Sequence, residues 1–317
     1  MGATLARHLS DANEVRVLDK NPVPKDIQDK AEYVSCDVCD HGNVRSALQG
    51  AELVIHTAII QIPQINEMKR HGYAVNVTGI QNVCEAVDEI QSIKGVLLTG
   101  SWHVFGEKDL RGTVDEAFGS RPDKIEDRGR FYALCKIAQE TIVRAYDEMS
   151  EKTYGVIRIG TVLGEGMPEK TAANIFISKG LKGEPITPYK NTMHRPMLYV
   201  DVNDVCRAFE AFANRILENR IDKKGGSLDR IVNLLWPTPV TILELANIVR
   251  DRIISHSSGR ISPEIRVVDT GEPVLNSEDD KKMIKVDISR AKDFLGMTRL
   301  NSPEQTIDRL VEKMMRK

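Results

Sequence analysis

Tyr132-Ala-Leu-Cys-Lys136 sets a phenol and an ammonium at i and i+4, and Ser101 closes the upstream run Leu97-Leu98-Thr99-Gly100-Ser101. On a helix, positions i and i+4 share one face. A lysine there can draw a phenol's pKa down from about 10 toward the range of a general base. A hydroxyl at a strand end can hydrogen-bond a reacting oxygen. Together the three groups form the proton-handling set of nicotinamide-dependent hydride chemistry. Taken alone, a Tyr-x-x-x-Lys decorates many helices, so its surroundings decide its meaning.

The elements that must position these groups read as alternating strands and helices. Glu14 to Asp19, Ala31 to Cys36, Glu52 to Thr57, Gly95 to Thr99 and Tyr154 to Ile159 are strand-like, and helical stretches span about 66–90 and 129–152. Such alternation predicts a parallel sheet with helices on both faces, a doubly wound α/β fold. These sheets bind ligands at the carboxyl ends of their strands, where Asp19, Asp37, Thr57 and Ser101 fall. Beyond about residue 165 the pattern predicts helices over 171–181, from Asp201 to about 219, from Thr241 to about 255, and near 288–295 and 302–316. Strands are predicted at 198–200, 230–235 and 263–269. Lys223 to Ser227 reads as a loop tip, and Ser277 to Lys282 as an exposed loop.

Composition excludes several classes. The 317 residues are 41% hydrophobic and 28% charged, with a net charge of −2 and no basic cluster, which argues against a nucleic-acid partner. No apolar run approaches the roughly 18 residues of a membrane span. Five cysteines without framework spacing fit a reducing cytosol, so a cytoplasmic location is expected. Cys36-Asp-Val-Cys39 has neither a second pair nor a histidine pair nearby, so it is read as two small residues at a strand end. No metal is expected.

Taken in order, these segments resemble the extended short-chain dehydrogenase/reductase family, in particular its NAD-dependent nucleotide-sugar epimerase/dehydratase branch, typified by UDP-glucose 4-epimerase. Gly2-Ala-Thr-Leu-Ala-Arg-His-Leu9 is similar to the helix after the glycine-rich loop, and Leu53-Val-Ile-His-Thr-Ala58 to D-x-V-x-H-x-A-A. Asn76-Val-Thr-Gly79 is similar to N-x-x-G, and Arg195 to Val205 to R-D-F-V-x-V-x-D-V. Asn233 to Ala246 and Asp287 to Gly296 resemble later family motifs. The resemblance implies a Rossmann-type NAD domain over residues 1–165 with return segments at about 195–235. A smaller α/β substrate lobe would comprise 166–194 and 236–317. It also implies cofactor contacts at Gly2, Asp19, Lys20, Asp37, Val38, Thr57, Ala58, Asn76, Thr99, Tyr132, Lys136 and Ile159. Asp19 would accept the ribose hydroxyls and favour NAD over NADP. Substrate contacts would be Ser101, His103, Thr161, Asn174 and Arg195, the last binding a phosphate with its guanidinium fork. His56 is expected as a packed, hydrogen-bonded core residue. A homodimer pairing the two long helical stretches is implied as well.

Two departures bear on function. Only the last glycine of the dinucleotide fingerprint, Gly2, is present, and the strand before it is missing. Two rows of backbone groups are then left unpaired, at about 1–3 kcal/mol each. The sequence therefore predicts either a protein that begins about ten residues upstream or weak NAD binding. Secondly, dehydratases of this branch carry T-D-E-V-Y-G where this chain has Ser101-Trp-His-Val-Phe-Gly106, so Trp102 and His103 stand in place of the adjacent acid pair and dehydration is disfavoured. Thr161 replaces a usual Asn, and Pro196 the Asp after Arg195. The expected activity is epimerisation of a nucleotide-linked hexose, with Tyr132 as base, Lys136 holding it and Ser101 on the reacting oxygen. The alternatives are a net oxidoreductase of a carbonyl or alcohol, and a silent binding protein that keeps the fold.

Overall fold

The structure, a computed structural model, describes residues 1–316. Its centre is a four-stranded parallel sheet in the order Ile231–Leu234, Thr153–Ile159, Gly95–Ser101, Val54–His56. Side chains alternate across it, as strand geometry requires. Val96, Leu98, Tyr154 and Val156 enter one core with Val44, Ile80, Val83, Val87 and Val143 from helices. Leu97, Ile157, Ile159 and Val232 enter the other, with Leu5, Phe209 and Phe212. Helices therefore cover both faces, and the fold is the doubly wound, Rossmann-type α/β architecture read from the sequence.

A second parallel pair, Arg16–Asp19 with Glu32–Ser35, forms a separate two-stranded sheet. Among the described residues no strand joins Arg16–Asp19 to Val54–His56. Leu18, Val34 and Val54 nevertheless share one apolar cluster, so the two sheets are tied through side chains.

The stretch expected to be one helix over 66–90 is broken. Gln64–Glu67 and Lys69–Tyr73 are short α-helical pieces, Ala74–Thr78 is a π-helical turn, and Gly79–Glu89 resumes the α-helix. A π turn widens the helix by one residue and is common at functional sites. It lets Asn76 clamp the chain after Val54–His56: its Oδ1 accepts from Ile60 N at 2.7 Å and its Nδ2 donates to Ile60 O at 3.0 Å.

In the later half, Ile242–His256 opens with a capping box of Thr241 and Glu244 and packs on Ala172–Leu181 and Pro303–Met315. The expected strand at 263–269 is only two isolated bridges, Ile265 to Ile186 and Val268 to Tyr189. The Gly112–Val114 strand, paired with Ile284–Val286, was not foreseen; it is too short for a periodic signal. No helix is long and apolar enough to cross a membrane among the described residues.

Gly95 shows how tightly the sheet is built. A Cβ there would lie 2.0 Å from the carbonyl oxygen of Thr153 on the paired strand, and backbone cannot yield as a side-chain tip can. Gly95→Ala is expected to destabilise by about 1–3 kcal/mol or more, read as a lower urea midpoint with an unchanged slope.

Candidate active site

Ser101 is the last residue of the Gly95–Ser101 strand, and its Oγ accepts from His103 N as the chain turns into the short helix Trp102–Phe105. Tyr132 and Lys136 sit in the first two turns of the Arg130–Met149 helix, which packs on that strand. Lys136 Nζ donates to Thr99 O at 2.8 Å and stands 5.9 Å from the Tyr132 ring centroid. Ser101 stands near enough to the Tyr132 phenol to draw its pKa down. The three groups picked out in the sequence thus meet at the carboxyl end of the sheet.

Their electrostatics differ from expectation. Burial pushes the Tyr132 phenol up to about 12, with Ser101 pulling the other way, and pushes the Lys136 ammonium down to about 7. The lowering of the phenol by Lys136 is not seen, because loss of solvation outweighs a cation directed at a backbone carbonyl. Stability should follow. Between about pH 7 and 10 the unfolded chain holds the Lys136 proton that the folded chain has shed, so stability rises with pH across that window; below it the full burial cost remains. Tyr132 acts oppositely above pH 10, where the unfolded phenol ionises first. Lys136→Met is expected to flatten the rise between pH 7 and 10 in thermal melts and to be more stable than the parent near pH 6.

Around this centre the sequence did not signal several contacts. The buried Trp102 donates its indole N–H to Thr161 Oγ1 at 3.0 Å, placing a hydrogen bond where the family pattern has an Asn. His103 Nδ1 lies 3.1 Å from Ser101 Oγ, its ring meets Tyr132 edge-on at 5.6 Å, and its Nε2 lies 3.5 Å from Glu107 Oε1. Glu107 and Glu126 are both buried; Glu107 Oε2 accepts from Glu126 N. Arg195 is buried too, and it donates to Glu126 Oε2 at 2.6 Å, an oxygen that also accepts from Arg128. Its Nε is buried without a partner, so the guanidinium is anchored on one side with a donor to spare. The signal for Glu107 was its i+4 spacing from His103; nothing local marked Glu126.

The remaining expected contacts are arranged as follows. Gly2 abuts Thr57: a Cβ on Gly2 would lie 2.9 Å from Thr57 Oγ1. Asp19 ends its strand exposed, with Oδ1 accepting from Asn21 N, and Lys20 Nζ lies 3.4 Å from His71 Nε2. Asp37 is held below the usual carboxylate range by hydrogen bonds from Cys39. Val38 packs where a Cβ on Gly79 would be, 2.8 Å from its Cγ2, and its carbonyl accepts from Asn82. Ala58 follows Thr57, and Ile159 ends the Thr153–Ile159 strand. Thr99 Oγ1 is buried without a partner. Asn174, by contrast, bonds locally, to Met167 O and Ser178 Oγ. His56 is packed as expected, but its Nε2 has no partner, and burial with Lys136 nearby drives its pKa down to about 3. Both Cys36 and Cys39 thiols are pushed up by burial, which disfavours thiolate chemistry.

This arrangement fits a dinucleotide. An exposed carboxylate ends one strand, a glycine lets backbone approach Thr57, and an unpartnered Thr99 hydroxyl adjoins an ammonium with donors to spare.

A sequence profile of the NAD dependent epimerase/dehydratase family matches residues 1–222. Cinnamoyl-CoA reductase 1 of Petunia hybrida is 28% identical over 187 residues, covering 57% of this chain and 53% of that protein, so the match spans about half of its length. The NAD-dependent glucose-6-phosphate dehydrogenase of Haloferax volcanii is 23% identical over 182 residues, 54% of this chain and 68% of that enzyme. Among solved structures, UDP-glucuronic acid 4-epimerase from Bacillus cereus, in complex with UDP-glucuronic acid and NAD, superposes with a TM-score of 0.74. It is 18% identical and covers 99% of this chain and 96% of that one, a likeness of fold.

Proposed function

The chain belongs to the NAD-dependent epimerase/dehydratase family, and on that premise we propose that it epimerises a nucleotide-linked hexose by removing and returning a hydride at one carbinol carbon. The observation that carries this reading is the meeting of Ser101, Tyr132 and Lys136 at the carboxyl end of the sheet. NAD, when bound, supplies the hydride acceptor and donor. Asp19 would hold its adenosine ribose, Asp37 and Val38 its adenine side, Gly2, Thr57 and Ala58 the middle, and Asn76, Thr99, Lys136 and Ile159 the nicotinamide end.

The chain's own groups do the rest. Tyr132 takes the proton from the sugar hydroxyl and later returns it. Lys136, held by Thr99 O, stabilises the phenolate once charge develops on it. Ser101 hydrogen-bonds the reacting oxygen. Arg195, braced by Glu126, keeps Nε free for a phosphate oxygen, and Thr161, fixed by Trp102, borders the sugar. Asn174, His103 and Lys20 complete the proposed contacts. A homodimer and a cytosolic setting belong to the same reading; the five cysteines are free thiols, as a reducing compartment allows.

A second reading, net oxidation or reduction of a carbonyl or alcohol, is favoured by likeness to a reductase and a dehydrogenase. Product analysis by NMR separates the two. Incubation with NAD and UDP-hexoses or UDP-hexuronates is expected to give the epimer with no accumulation of reduced nicotinamide. Stoichiometric reduced nicotinamide would favour the second reading, and neither product would count against the first.

A further inference from the structure

Two residues after Ser101, where family dehydratases place an acid, this chain has a histidine connected to a buried carboxyl. His103 Nδ1 is 3.1 Å from Ser101 Oγ, and Nε2 is 3.5 Å from Oε1 of Glu107, whose side chain is 4% exposed. Glu107's other oxygen is fixed by Glu126 N at 3.1 Å. Hydroxyl, imidazole and carboxyl thus follow one another at 3.1 Å and 3.5 Å, and the hydroxyl also acts on the Tyr132 phenol.

We propose that Glu107 is a positioning residue that fixes His103 as its Nε2–H tautomer, so that Ser101 donates its hydrogen to Nδ1, offers its oxygen to Tyr132, and opens a proton relay from phenol to carboxylate. In the relay, the Tyr132 proton moves to Ser101 Oγ as the Ser101 hydrogen moves to Nδ1 and the Nε2 hydrogen moves to Glu107. One proton is lost by Tyr132 and one gained by Glu107; Ser101 and His103 end neutral. The phenol is left as phenolate, and Ser101's new O–H points back at it.

The surrounding charges suit this direction. Burial, and after it the charges of Arg128, Arg195 and Lys136, disfavour imidazolium, so His103 passes a proton on rather than keeping it. Burial raises the proton affinity of Glu107, against the hydrogen bond it accepts from Glu126 N, and the Glu126 carboxylate adds to the rise. Trp102, 4.8 Å from the His103 ring, closes one side.

The relay rests on the reading of Tyr132 as proton acceptor, but its geometry can be tested without turnover. Heteronuclear NMR of protein carrying isotope-labelled histidine reports which ring nitrogen bears hydrogen, with His103 assigned by its loss in His103→Gln. The parent is expected to show protonated Nε2 and bare Nδ1, and Glu107→Leu to exchange the two. A parent with protonated Nδ1, or a folded Glu107→Leu with an unchanged pattern, would overturn the proposal. If Glu107→Leu does not fold, the parent spectrum alone decides. Failure of all nucleotide-sugar turnover, with the tautomers as expected, would instead count against the functional reading.

Discussion

Tyr132→Phe is expected to lower turnover by about 10²–10⁴-fold, the usual contribution of a positioned proton-transfer group, while leaving the protein folded. The variant loses one oxygen. The ring keeps its edge contact with His103 at 5.6 Å, and the stability lost is at most that of one hydrogen bond, about 0.5–1.5 kcal/mol. Circular dichroism and thermal melts close to the parent, with product formation nearly abolished, would place the defect in chemistry. Ordinary turnover in Tyr132→Phe would refute the assigned role, whatever the substrate.

The second large effect is on stability. Asp147 is buried near the end of the Arg130–Met149 helix and accepts from Arg230 Nε at 2.7 Å and Nη2 at 2.5 Å, from Lys223 Nζ at 3.0 Å and from Tyr154 N at 3.0 Å. It joins the helix that carries Tyr132 to the sheet and to the segment before Ile231–Leu234. Arg230 is itself buried, so Asp147→Asn would leave a guanidinium without its counter-charge. Breaking such a pair from one side costs about 3–5 kcal/mol. Urea unfolding should show a correspondingly lower midpoint. Replacing both Asp147 and Arg230 by apolar residues should recover part of the loss; a cost for Asp147→Asn below about 1 kcal/mol, the scale of an exposed pair, would refute this account.

Much of the architecture was legible because it rests on local periodicity. The buried runs at 54–56, 95–101 and 153–159 and the capping residues Asp201 and Thr241 announced their elements with little tertiary help. Ser101, Tyr132 and Lys136 were legible for the same reason: a strand end and a helical i,i+4 spacing leave few arrangements. The break at Ala74–Thr78 was not, since a π turn is set by what Asn76 reaches across the chain and has no pattern of its own. Nor was the anchoring of Lys223, which read as part of a loop tip but reaches Asp147, Ser150 O and Lys152 O. The phenol's pKa was misjudged in sign because spacing shows proximity and says nothing of lost solvent. Arg195 reads in the sequence as a free phosphate ligand, yet its brace, Glu126, lies 69 residues away and only the fold brings them together.

Rapid mixing of NAD-loaded protein with UDP-hexoses, followed by the near-ultraviolet absorbance of reduced nicotinamide, tests the central claim most directly. The account predicts a fast signal of less than one equivalent in the parent, one that grows no further as the epimer accumulates and is lost in Tyr132→Phe. No signal with any nucleotide-linked sugar, or one that persists unchanged in Tyr132→Phe, would contradict it.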